Sequence, residues 1–354
     1  MSVRPKHPVA FESRLNTVLR AGCSLRQTGV SFKHWEQFLN EVPINLRPLE
    51  RQEWQEWTSS SDDENGENYL LVLEQDGMQL LEYPNLAGYR PAVLRAVRNN
   101  GMALQFASYE LKNDVEVVNN AINTNGLALQ FASPTIRGNE EVILNAVSKN
   151  GMALQFASTS LRDSKSIVDV AVNENGLALQ FAGELCKNNI AVVHRAVEND
   201  GQALQYASEF MRGLTPIVKK ALQSDGLALE HASDLSKRNF DVVKEAVQLN
   251  GLALQYASEE LKGNVDIVRF AVNQNGLALE HASEALRNDA AIVMIAVSED
   301  GMALQYADSF LKNRLAIVQA AVRNDYNSIR FASEALQENP EVLADVKESR
   351  RGAQ

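Results

Sequence analysis

Residues 250–258 read Asn250-Gly251-Leu252-Ala253-Leu254-Gln255-Tyr256-Ala257-Ser258, and close variants of these nine letters return along most of the chain. Glycines stand at Gly101, Gly126, Gly151, Gly176, Gly201, Gly226, Gly251, Gly276 and Gly301, every 25 residues without insertion. A shorter unit begins at Gly77 and a last one at Tyr326, which makes eleven units over residues 77–350. A fixed period of this length is the signature of a repeat architecture and overrides the two or three domains that 354 residues would otherwise suggest.

With the glycine as place one, apolar residues fall at places three, four, seven and eleven, then seventeen, eighteen, twenty-one and twenty-two. These are two helical stripes and not strand alternation. Each unit is therefore expected to form two antiparallel helices of about ten residues, too short to persist alone in water. Ala253, Ala257 and Ala271 mark columns of alanine that let helices approach, while Leu254, Ile267 and Val268 fill the space between layers. The expected fold is all-α, an α-solenoid of eleven roughly 25-residue two-helix repeats with an N-terminal helical cap, in which stacking buries what no unit buries alone.

Local punctuation agrees. Asn339-Pro340-Glu341 offers an N-cap, a proline for the first turn and an acid near the positive helix end. Where Leu214 replaces the usual cap residue, Thr215 is expected to cap one residue later. The Asn-Gly and Asp-Gly junctions are read as turns in which glycine tolerates a left-handed backbone and keeps a Cβ out of a crowded corner.

The stretch from Asn250 to Gly276, NGLALQYASEELKGNVDIVRFAVNQNG, resembles the repeats of the domain of unknown function 4116 family. The resemblance covers residues 77–350. It implies an all-helical tandem array of the kind found in bacteria that live with protists and in protists, with no activity generally assigned. A role as a bacterial effector acting on a host protein through the repeats is implied by that resemblance alone.

Residues 1–76 are a different text, an N-terminal helical or capping segment holding Trp35, Trp54, Trp57 and an acidic linker at 59–67. Tyr69 to Leu73 is read as its last helix. Arg4, Lys6, Arg14, Arg20, Arg26 and Lys33 face the single acid Glu12 in the first 33 residues. Such a start could target an organelle, but it lacks the apolar core of a secretory signal. Phe11, Leu15, Val18 and Leu19 follow helical spacing and could cover the first layer. Residues 351–354 form a short tail.

Two cysteines, Cys23 and Cys186, exclude a disulfide scaffold. No apolar run approaches the ~20 residues of a membrane span, so a soluble, cytoplasmic protein is expected. The net charge of −11 disfavours a general binder of nucleic acid or anionic membranes.

No P-loop, dinucleotide turn, Cys/His metal spacing or nucleophile elbow is present, and no enzyme activity and no cofactor is expected. An active site confined to residues 1–76 would lack any convergent acid-base set. In two units Glu230-His231 and Glu280-His281 replace the Gln-aromatic pair. They stand two layers, about 16–20 Å, apart and cannot share a metal. The histidines are read as members of an aromatic column. The glutamine column, Gln105 to Gln305, could line a groove for extended peptide backbone, but is read as bonding between layers and satisfying turn groups.

Two sets of residues are candidate binding positions. Lys112, Arg137, Arg162, Lys187, Arg212, Lys237, Lys262, Arg287 and Lys312 occupy place twelve and would line up as a basic stripe, the basis of an alternative reading as a nucleic-acid or acidic-polymer binder. Their structural reading is a cation at a helix C-terminal end paired with acids such as Glu259, Glu260 and Asp266. Place twenty varies most, and Phe270 and Ile295, with Met294 beside it, are candidate contacts for a protein partner. The reading favoured by these features is a non-enzymatic protein-protein interaction scaffold.

Overall fold

The computed structural model describes residues 64–352. The basic stretch from Arg4 to Lys33, Cys23, the three tryptophans and residues 59–63 of the acidic run lie outside the described residues, as do residues 353–354 of the tail. Among the described residues there are helices and turns and no strand.

One unit explains the rest. Gly251–Tyr256 is a 3-10 helix, Glu259–Lys262 is a single α-turn, and Val265–Gln274 is a ten-residue α-helix. The first stripe is thus not one ten-residue helix, as its spacing suggested, but two short pieces. The break falls at Ala257 (ψ 156°) and Ser258 (ψ 154°), both extended. Serine is an N-cap former, and its side chain accepts from Leu261 N at 3.4 Å. Turning the chain there also frees the Ser258 amide, which donates to Lys237 O of the preceding unit at 3.0 Å. The same bond recurs from Ser133 to Lys112, Ser158 to Arg137, Ser208 to Lys187 and Ser283 to Lys262, between 2.9 and 3.0 Å. Local periodicity carries no trace of a partner that only the neighbouring unit supplies.

The long helix starts where Asn264 Oδ1 accepts from Asp266 N and Ile267 N at 3.0 and 3.1 Å. It ends at Asn275, whose amide bonds Ala271 O while its side chain accepts from Leu277 N at 2.9 Å. One asparagine therefore closes one helix and opens the next. Asn339 caps the last long helix, Pro340–Gly352, accepting from Glu341 N at 2.9 Å and Val342 N at 3.3 Å. Thr215 does not cap as expected. It is the first residue of the helix Thr215–Ser224, whose N-cap position is Leu214 without a side-chain bond. Pro216 in the first turn lacks the N–H that a cap would have served.

The junction glycines owe their place to contact and not to a left-handed backbone, since none has a positive φ. A Cβ on Gly201 would lie 2.5 Å from Ala221 O, and one on Gly276 would lie 2.3 Å from Ala296 O. The turn is pressed against the end of its own unit's long helix.

Each long helix packs against the one before and the one after it. Ala253, Leu254, Ile267, Val268, Ala271 and Val272 are fully buried, and Ala257 is 5% exposed. Each fully buried Val, Leu or Ile contributes about 1.5–3 kcal/mol relative to exposure, while the alanines set the close approach. At the N-terminal end, helix Glu64–Gln75 begins inside the acidic run expected to be a loop and contains Tyr69 to Leu73. Leu73 is fully buried and anchors it on the first unit.

Candidate protein-binding surface

The place-twelve cations are drawn inward. The side chains of Lys187, Arg212 and Lys262 are 21%, 34% and 19% exposed, against 87%, 70% and 89% for their partners Glu184, Glu209 and Glu259. Lys187 and Lys262 reach those carboxylates at 3.5 and 2.8 Å, and Arg212 pairs with Glu209. Lys112 and Lys312 instead donate to Gln105 O and Gln305 O, each at 2.7 Å. Burial holds the Lys112 ammonium below its usual range. The Nε atoms of Arg137, Arg162, Arg212 and Arg287 are buried, and Lys237 is half-buried. In the three pairs with Glu184, Glu209 and Glu259 the charge standing further into solvent is the acid. Moreover, the first 63 residues hold eight basic and eight acidic residues, so the whole net charge of −11 falls on residues 64–354.

Five of the seven glutamines in the column bond inside their own turn. Gln105, Gln130, Gln155, Gln180 and Gln205 donate through Nε2 to the carbonyl three residues earlier, at 3.0 to 3.2 Å. As the fifth residue of the six-residue 3-10 helix, a glutamine can fold its side chain back onto the carbonyl three residues earlier, which is closer than the next layer.

His231 and His281 are half-buried in the column otherwise filled by Phe and Tyr. Burial lowers both imidazole pKa values, with neighbouring Glu230 and Glu280 opposing it. His231 Nε2 meets Gln202 Oε1 of the preceding unit at 2.7 Å. Burial, and then a hydrogen bond to Glu230, raise the Tyr256 phenol, and Tyr306 stands in the same relation to Glu280. The Glu230-His231 pair is thus bound into the stack on both sides, and Glu280 is bound to the unit that follows it. Among the described residues no group of three or more His, Cys, Asp or Glu is arranged to hold a metal ion, and no helix is long and apolar enough to cross a membrane. The Cys186 thiol is 2% exposed and is pushed up to about 11 by burial, with Asp163 adding to it.

Phe270, Met294 and Ile295 are half-buried and packed against the core. Their column is not independent of its neighbours. Place nineteen of one unit meets place twenty of the next: Asn119 with Asn145 at 3.0 Å, Asp169 with Arg195 at 3.1 Å, and Lys219 with Glu245 at 3.0 Å. By the same register Lys244 Nζ lies 5.1 Å from the centre of the Phe270 ring. The variation read as partner choice is in part a matching of one layer to the next.

Sequence reading missed a second set, at place ten on the single α-turn. Leu185, Phe210 and Leu235 are 76%, 67% and 79% exposed in three successive units. The equivalent residues on either side are Ser160 and Glu260, so the apolar run has two ends. Once the first stripe was taken as one helix, place ten fell between its faces and looked unremarkable.

This geometry defines a class, the all-helical tandem-repeat protein. The family model described as domain of unknown function (DUF4116) matches residues 92–137, 139–187, 164–212, 189–237, 239–287 and 289–337, and the chain belongs to that family. No curated protein and no solved structure matches the chain.

Proposed function

We propose that the chain is a non-enzymatic scaffold, an α-solenoid of eleven roughly 25-residue units that presents an extended helical surface to a protein partner. The observation that carries this reading is that the recurring polar side chains serve the stack itself: capping asparagines, turn glutamines, inward cations and histidines in an aromatic column. Among the places that vary between units, place ten is exposed and place twenty largely half-buried, and variation at exposed edges is where recognition is built. The inward cations and the −11 charge argue against the alternative of a nucleic-acid or acidic-polymer binder along place twelve.

The test is affinity capture with cross-linking and mass spectrometry, using the full chain and a Phe270→Ala/Ile295→Ala variant as baits. A partner cross-linked to several successive units supports the scaffold, and its loss in the variant would put it on the long-helix edge. Salt-sensitive retention on heparin with no protein partner would favour the polyanion reading instead.

A further inference from the structure

We infer that the ridge formed by Leu185, Phe210 and Leu235 is the docking site for a basic amphipathic helix of a partner protein. The inference rests on the scaffold reading and deepens it by assigning a surface and a partner chemistry.

Three large side chains, each more than 65% exposed, occupy one column in consecutive units. Scattered exposed apolar residues need no explanation, but three in register make a continuous strip. Their backbones are held in line by the interunit bonds from Ser208 N to Lys187 O and from Ser233 N to Arg212 O, at 3.0 and 2.9 Å. The anchors therefore stand on a fixed frame and not on loops. Two interlayer steps of about 8–10 Å give a strip about 16–20 Å long. At 1.5 Å per residue that matches about 11–13 residues of helix, a usual length for a helix laid along a groove.

Charge selects the sign of the occupant. Immediately before each anchor stands an acid, Glu184, Glu209 or Asp234, all exposed. The side chains of Lys187 and Arg212 on the same turns lie inward, beneath the carboxylates they pair with. Arg238, the residue just after the third turn, is an exposed base and stands at the far edge of the strip. An approaching helix meets carboxylates first, and the field of the array as a whole is negative. Lysines or arginines flanking an apolar stripe satisfy both features.

The test uses the full chain and a labelled leucine-lysine peptide of about 18 residues, with leucines at helical i, i+3, i+4 and i+7 spacing, read by fluorescence anisotropy. We expect saturable binding that weakens at least tenfold in a Leu185→Ser/Phe210→Ser/Leu235→Ser variant. A Tyr109→Ser/Phe310→Ser control, altering exposed aromatics outside the strip, should bind as the parent does. A Glu184→Gln/Glu209→Gln/Asp234→Gln variant should bind more weakly and lose much of its salt dependence, which keeps the test decisive if the serine variant folds poorly. Equal binding by the ridge variant and its parent, or equal binding of a leucine-glutamate peptide, would overturn the proposal.

Hydroxyl-radical footprinting of the chain alone separates the other occupants. Ready oxidation of Leu185, Phe210 and Leu235, with protection on adding the peptide, supports the assignment. Protection at every concentration would mean that another segment of this chain covers the strip, and protection that grows with concentration would mean a second copy. Either result overturns it. A natural partner cross-linked elsewhere on the array would leave the scaffold reading standing, while the peptide result alone decides the ridge.

Discussion

The amide of Ser258 donates a 3.0 Å hydrogen bond to the carbonyl oxygen of Lys237, joining two units by their backbones. Ser258 has φ −62°, which proline would also adopt, so Ser258→Pro removes the donor without changing the dihedral and sets the ring Cδ toward that carbonyl. The expected loss is about 1–3 kcal/mol or more, measured by urea unfolding. Glu259→Pro is the comparison, because the first helical position tolerates proline and Pro134 holds the equivalent place in another unit. It should change stability by less than about 0.5 kcal/mol.

The glycines divide into two kinds. Gly201→Ala would force a Cβ to within 2.5 Å of Ala221 O and should destabilise by about 1–3 kcal/mol. Gly138→Ala, where nothing lies within 4 Å, should be nearly neutral when both variants are compared by urea unfolding.

Burial keeps the His281 imidazole pKa below its unfolded value of about 6.5. Its contribution is intact above that value and is lost as the pH falls toward and through the folded pKa, because the unfolded chain then binds more protons. His281→Phe, which restores the column's usual residue type, should fall off less in stability than the parent between about pH 7 and 5. A parallel pH dependence in the two proteins would refute this.

Lys219 and Glu245 pair across units at 3.0 Å with side chains 36% and 27% exposed. A double-mutant cycle through Lys219→Ala and Glu245→Ala should return a coupling of about 0.2–1 kcal/mol that shrinks in high salt. No coupling would mean that place nineteen and place twenty vary independently.

The buried half of each unit was legible because its residues report directly on it. Ala253, Leu254, Ile267 and Val268 recur at fixed spacing, and all four are buried in the stack. Asn264 and Asn339 announced helix starts, since a capping side chain bonds its own chain two or three residues on. The glutamine column was half legible: its bonds to turn groups were expected, but a regular recurrence looks the same whether the side chain reaches the next layer or its own turn. Place ten was overlooked for a related reason. Its exposure depends on the break at Ala257 and Ser258, and that break follows from a bond to another unit.

By itself the sequence determined the repeat period, the helical class, the alanine and aliphatic columns and the asparagine cap at Asn339, because all of these arise within about four residues of the side chain concerned or recur unchanged from unit to unit. Tertiary structure alone decided that the first stripe divides into a 3-10 turn and a single α-turn, that the place-twelve cations face inward, and that Leu185, Phe210 and Leu235 stand exposed in a line. The first depends on a carbonyl that the adjacent unit offers, the second on each turn folding its cation back under its own acid or onto its own unit's carbonyl, and the third on the absence of a covering side chain among the described residues.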